Sequence, residues 1–141
     1  MYILIFIIIY ALFHLIVSGF KAEEDAQITI SNCRFQFSYF DGLFTFNSNN
    51  VDKNEMGNYT ITDSVFSDIY GYQGSIVHIS SMTNSTKILF KNSLFEYILS
   101  SDKGGIIYSL SNITDVNVAF VDCEFNGNYC FEGIKRYNDK K

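Results

Sequence analysis

Apolar residues alternate with polar ones in short bursts along this chain, and the bursts recur. The pairs are Ile28 and Ile30, Tyr59 and Ile61, Ile88 and Phe90, and Val118 and Phe120. A period of two is that of an extended strand with these side chains on one face. Each pair runs into Asn32, Asp63, Asn92 or Asp122. Asn and Asp tolerate left-handed backbone and bond their own main chain, so they suit a sharp bend. The bend breaks the alternation. Cys33 and Phe35, Ser64 and Phe66, Ser93 and Phe95, and Cys123 and Phe125 then point inward again. The unit is two short strands meeting at a corner. It begins at 28, 59, 88 and 118, at intervals of 31, 29 and 30 residues, and a fixed period in this range marks stacked repeats.

A second feature recurs at another phase. Asp41-Gly42-Leu43-Phe44, Gln73-Gly74-Ser75-Ile76 and Gly104-Gly105-Ile106-Ile107 each open a third strand, with glycine at a tight bend. The inward register of this strand stays open, because Phe44 and Phe46 indicate one phase and Val77 and Ile79 the other. Loops follow at 47–58, 80–86 and 111–117. One such coil cannot bury its apolar face alone, so like stacks on like. The expected fold is all-β: a right-handed parallel β-helix of about three and a half coils, preceded by an N-terminal hydrophobic segment. Leucine-rich repeats share the period but need a Leu-x-x-Leu-x-Leu frame that is absent. A sandwich of antiparallel hairpins explains the alternation but not the constant period.

Composition agrees. With 14 Phe, 10 Tyr, no Pro and no Trp in 141 residues, the chain favours strands. A formal charge of −5 argues against nucleic acid, whose binding needs basic patches. Residues 1–19 read as a signal peptide: Tyr2 to Val17 is apolar apart from His14, and Val17-Ser18-Gly19 offers a cleavage point before Phe20. With no Lys or Arg before it, an uncleaved signal anchor is the alternative, and only then would the chain hold a membrane. The expected organisation is therefore 1–19 signal or anchor, 20–27 linker, 28–134 β-helix repeats and 135–141 polar tail. Asn58-Tyr59-Thr60, Asn84-Ser85-Thr86 and Asn112-Ile113-Thr114 are N-glycosylation acceptors, each just before a repeat or leading into it. Together these features place the protein outside the cell, secreted or at the surface.

Three cysteines lie beyond the leader. Cys33 and Cys123 share a repeat position three coils apart, on the order of 14 Å at strand spacing, too far for a disulfide. Cys123 and Cys130 could bridge if the chain turns between them. Serine fills the same repeat position in the middle coils, so the expected role of Cys33 and Cys123 is that of small buried filler.

From residue 28 to 134 the chain resembles the pectin-lyase-like β-helix repeats of eukaryotic microbes and of chlamydial polymorphic outer-membrane proteins. Those carry Gly-Gly-Ala-Ile and Phe-x-x-Asn motifs. Gly104-Gly105-Ile106-Ile107 and Gln73-Gly74-Ser75-Ile76 approximate the first, and Phe125-Asn126-Gly127-Asn128 matches the second. Phe35, Phe66 and Phe95 lack the Asn at the third place. The resemblance implies a secreted or surface protein, often linked to adhesion.

The fold also hosts polysaccharide lyases and hydrolases. Glycoside hydrolysis needs two carboxyl groups at a set separation. Asp63 and Asp122 share a column but lie two coils apart with Asn92 between them, and a turn ladder of Asn32, Asp63, Asn92 and Asp122 explains all four together. Asp63 and Asp68 with Glu96 across one coil form a less supported set, and His78 stands alone in its strand. No zinc or calcium motif and no nucleophile triad is present. Neither catalytic residues nor a cofactor is expected. Tyr39, Phe40, Tyr70, Tyr72, Tyr97 and Tyr129 follow the corner phrases. Exposed, the tyrosines would bind sugar rings or a partner protein; the alternative is that half of these aromatics pack inward. The first expectation is thus a non-catalytic structural or adhesive module, with a polysaccharide-processing enzyme and a fragment of a larger β-helix as alternatives. Apolar coil ends would invite end-to-end self-association.

Overall fold

The computed structural model describes residues 20–21, 26–40, 42–47, 57–112 and 114–131. The leader expected at 1–19, most of the 47–58 loop, the last residues of the expected repeat region from 132 to 134 and the tail at 135–141 lie outside the described residues. In chain order the strands are β1 (Phe20–Lys21), β2 (Gln27–Ser31), β3 (Arg34–Tyr39), β4 (Phe44–Asn47) and β5 (Asn58–Thr62). They continue as β6 (Val65–Gln73), β7 (Val77–Ser81), β8 (Lys87–Lys91), β9 (Leu94–Glu96) and β10 (Leu99–Lys103). The last are β11 (Ile107–Ser109), β12 (Val118–Val121), β13 (Glu124–Asn126) and β14 (Tyr129–Cys130), with one short helix, α1 (Thr114–Asn117), ahead of β12.

Each strand pairs in parallel with its counterpart one coil away. The first sheet runs β2-β5-β8-β12; the second runs β13-β9-β6-β10-β14, with β3 also paired to β6; the third runs β1-β4-β7-β11. This is an all-β parallel solenoid of about three turns. Phe20 and Lys21, inside the expected linker, pair with Phe44 and Thr45 and so belong to the third sheet. Two residues carry no periodicity, which is why the alternation pattern missed them. The helix α1 likewise falls in a segment expected to be a plain loop.

The register is letter on letter. Ile28 lies beside Tyr59, Tyr59 beside Ile88 and Ile88 beside Val118; Ile30, Ile61, Phe90 and Phe120 form the next file. Phe35, Phe66, Phe95 and Phe125 line up across the second sheet. Their rings stack at centroid distances of 5.1, 4.8 and 5.1 Å, within 11° of parallel. Strand spacing of ~4.8 Å is what lets identical rings stack so. Phe90 and Phe120 repeat the arrangement at 4.9 Å and meet the first file edge to face. Full burial of one such ring is worth ~1.5–3 kcal/mol, and the pair geometry adds ~0.5–1.5.

The Asn/Asp corner is left-handed in every coil: φ is 54° at Asn32, 51° at Asp63, 49° at Asn92 and 52° at Asp122. The Asn92 amide donates to Asp63 Oδ1 at 3.3 Å. The small residue that follows closes the corner. Ser64 Oγ donates to its own coil at Thr62 O (2.7 Å) and accepts the backbone N–H of Cys33 from the coil before (3.2 Å). Ser93 does the same, donating to Lys91 O and accepting from the N–H of Ser64. Cys33 and Cys123 sit in this file against the core, their thiols directed at Ser31 O and Val121 O. All three cysteines are thiols and none is in a disulfide; Cys130 points to Asp102 O.

The third sheet has one phase, not two. Phe44 lies beside Val77 and Phe46 beside Ile79, all buried. The conflict in the sequence came from the glycine corner, which is one residue longer after Gly74 than after Gly42. That corner admits little else: a Cβ on Gly74, at φ +62°, would lie 2.3 Å from Val77 O and 2.4 Å from Tyr108 N.

Candidate functional site

The second sheet contains a bend that the sequence pattern did not reveal. Phe37, Asp68, Tyr97 and Gly127 have φ of 53°, 52°, 53° and 59°. They are one coil apart, so they form a second left-handed file. An L-residue pays roughly 1–2 kcal/mol to sit there, and two of these positions carry bulky aromatics. Asn128 pins the bend: its amide donates to Phe95 O (2.9 Å) and its Oδ1 accepts from the N–H of Ile98 (2.9 Å), on either side of Tyr97 in the coil before. Tyr97 N–H adds a bond to Asn126 O.

The bend decides which way the tyrosines face. Counted in steps of two from inward Phe66, alternation would carry Tyr70 and Tyr72 into the core. The left-handed residue at Asp68 shifts the phase by one. Ile69 and Gly71 then take the inward slots, and Tyr70 and Tyr72 are each 50% exposed. The same shift turns Tyr39 and Tyr129 outward, at 43% and 57% exposure. Tyr39 pairs with Tyr70, Tyr70 with Leu99, and Leu99 with Tyr129, giving a continuous file across the solenoid. Tyr97 and Phe37 stand exposed at the bend beside it. All five tyrosines proposed as a binding face are therefore brought to one surface. Phe40 is the exception, buried next to Gly71. Phe37 and Leu99 belong to the same surface and went unnoticed because neither is a tyrosine; their spacing of one coil from Asp68 and Tyr70 was the available signal.

The floor of this face is rigid. Gly71 leaves no room for a side chain, since a Cβ would lie 2.4 Å from Phe40 O. Ser75 Oγ donates to Leu99 O, and the buried Ser100 hydroxyl is shared between Tyr72 O (2.6 Å) and Lys103 O (2.8 Å). Polar groups frame the rings: the Gln73 amide donates to Asp102 Oδ2 at 2.6 Å, with Glu96 half-buried beside Ser67.

The carboxylates are dispersed. Asp63 and Asp122 lie at the first bend, exposed, and Asp63 is tied to Asn92; Asp68 lies at the second bend. Among the described residues no three His, Cys, Asp or Glu side chains form a group suited to a metal ion. His78 is in the third sheet, its Nδ1 3.1 Å from Gln73 O and its ring edge-on to Tyr108 at 5.3 Å. The acceptors Asn58, Asn84 and Asn112 are all exposed, on the side where the chain returns from the third sheet to the first.

Comparison with protein-family models, with curated proteins and with solved structures returns no match. Among the described residues no helix is long and apolar enough to cross a membrane.

Proposed function

We propose that this chain is a non-catalytic β-solenoid module, secreted or displayed at a cell surface, that adheres to an extended glycan through its tyrosine face. The observation that carries the reading is the file Tyr39-Tyr70-Leu99-Tyr129, its tyrosines exposed and Leu99 half-buried, with Tyr72 and Tyr97 beside it. Apolar side chains repeated once per coil along a sheet, three of the four of them tyrosine rings, suit a linear polymer with its own repeat. Aromatic faces cover the C–H side of a sugar, while neighbouring groups such as Asp102, Glu96 and Gln73 take its hydroxyls. Large exposed apolar patches rimmed by polar residues mark interaction sites. The finer kinship, with pectin-lyase-like repeats of the polymorphic outer-membrane type, is proposed on the Gly-Gly-Ile-Ile and Phe-Asn-Gly-Asn segments. The role of Asn128 in bracing the bend gives the second of these motifs a physical meaning.

The test is binding of the full chain to a panel of insoluble and arrayed polysaccharides, with Tyr70→Ala and Tyr129→Ala as variants. One lost ring is expected to weaken binding about tenfold, roughly 1.4 kcal/mol. Binding indifferent to both substitutions, or selective binding of proteins instead of glycans, would overturn the reading. Release of new reducing ends or unsaturated sugars would favour the enzyme alternative.

A further inference from the structure

The three N-glycan acceptors occupy one corner of the solenoid, and that corner shares no side with the tyrosine bend. Going round a coil, the chain makes four sides: the first-sheet strand, the second-sheet segment up to the Phe37 file, the segment beyond it, and the third-sheet strand. The four corners are the Asn32 file, the Phe37 file, the glycine corner and the return loop. Asn84 and Asn112 lie on successive return loops, and Asn58 opens β5 where the loop before it ends. All three side chains are exposed. Asn32, Asn92, Asn126 and Asn128 stand at the other corners or between them, and none has Ser or Thr two residues on. Only asparagines at the return corner carry the complete acceptor.

We propose that Asn58, Asn84 and Asn112 each carry an N-linked glycan, and that the three form a single sugar-covered edge diagonally across from the tyrosine face. The modification is an N-glycosidic bond between the Asn side-chain nitrogen and the anomeric carbon of the first sugar: the bond from that carbon to the lipid diphosphate of an oligosaccharide donor breaks, the lipid diphosphate leaves, and the amide nitrogen gives up one proton. Exposure lets the folded coil keep all three glycans without moving the core. The edge is braced beneath them. Asn117, itself buried, donates to Thr83 O and Asn84 O, both at 3.2 Å, and accepts from Lys87 Nζ at 3.0 Å. Bulky, solvated chains there would block lateral packing on that edge and leave approach open from the tyrosine side.

The full chain is expressed in a eukaryotic host behind an established secretion signal, so that entry to the lumen does not depend on residues 1–19. Masses are read on the whole lumenal pool before and after a peptide-N-glycanase, so a variant that folds poorly is still counted. The expected result is a fall in mass by three glycans, by two in each of Asn58→Gln, Asn84→Gln and Asn112→Gln, and no change in the triple variant. Equal masses before and after the enzyme overturn the proposal, as does any single substitution that leaves the fall unaltered. Hydroxyl-radical footprinting of glycosylated against enzyme-treated protein tests the geometry. Oxidation of Leu110, 68% exposed and two residues from Asn112, should drop several-fold in the glycosylated form, while Tyr70 and Tyr129 stay unchanged. Equal protection of the tyrosines would overturn the placement.

Discussion

Phe95 is the residue whose loss should most damage this fold. Its ring is fully buried and lies between Phe66 at 4.8 Å and Phe125 at 5.1 Å, with Phe90 and Phe120 edge-on at 5.5 Å each. Phe95→Ala removes one layer of a stack whose neighbours are fixed by backbone pairing, so the cavity cannot close. A buried Phe→Ala change of this kind costs about 3–5 kcal/mol. Against the ~5–15 kcal/mol that holds an ordinary domain together, that is at least about a fifth and up to the whole. In urea, with an m-value near ~2 kcal/mol/M, the midpoint should fall by about 2 M. Phe125 is the internal control. It shares the file but is 47% exposed, and only one ring face is covered by a stacked neighbour. Half the burial term plus one pair term gives about 1.3–3 kcal/mol for Phe125→Ala. Phe95→Leu keeps most of the buried carbon and loses the ring faces, so it should cost about 1–2 kcal/mol. Far-ultraviolet circular dichroism follows the unfolding. Equal midpoints for Phe95→Ala and Phe125→Ala, or a Phe95→Ala cost below about 1 kcal/mol, would refute the idea that stacked rings bind coil to coil.

Three further outcomes follow from the corners. Gly127→Ala should cost about 2 kcal/mol, because its φ is +59° and its Cβ would lie 3.0 Å from the Tyr97 ring; in a Tyr97→Ala background only the backbone part, about 1 kcal/mol, should remain, as a double-mutant cycle will show. Gly74→Ala should abolish two-state folding or cost more than about 3 kcal/mol, since backbone atoms lie in the way, whereas Gly105→Ala, whose nearest neighbour is Cys130 Cβ at 3.9 Å, should cost only about 1 kcal/mol by thermal melting. Ser93→Ala leaves the buried N–H of Ser64 without its acceptor and should cost about 1–3 kcal/mol, with faster hydrogen exchange at Ser64 as the local signature.

The core was legible because parallel stacking makes sequence position and spatial position the same thing. Four phenylalanines at one place in the repeat form one file, and four Asn or Asp at another form one bend. The tyrosine face was legible only as a set of names. Its direction depends on the second bend, and that file holds Phe37, Asp68, Tyr97 and Gly127. Two of those four are residues that avoid left-handed backbone, so propensity pointed away from a turn. At Tyr97 the conformation is held from one coil off, by Asn128 bonding Phe95 O and the N–H of Ile98.

By itself, then, the sequence determined the period, the three-strand coil and the residues that stack within the core, since these depend on repetition and on alternation within a strand. Tertiary structure alone decided the second bend, the single register of the third sheet, the outward turn of the tyrosines and the addition of Phe20 and Lys21 as an extra strand. The physical reason is common to all four. Each is set by hydrogen bonds and contacts between coils about thirty residues apart, and such contacts can hold a residue in a conformation that its neighbours in the chain would not choose.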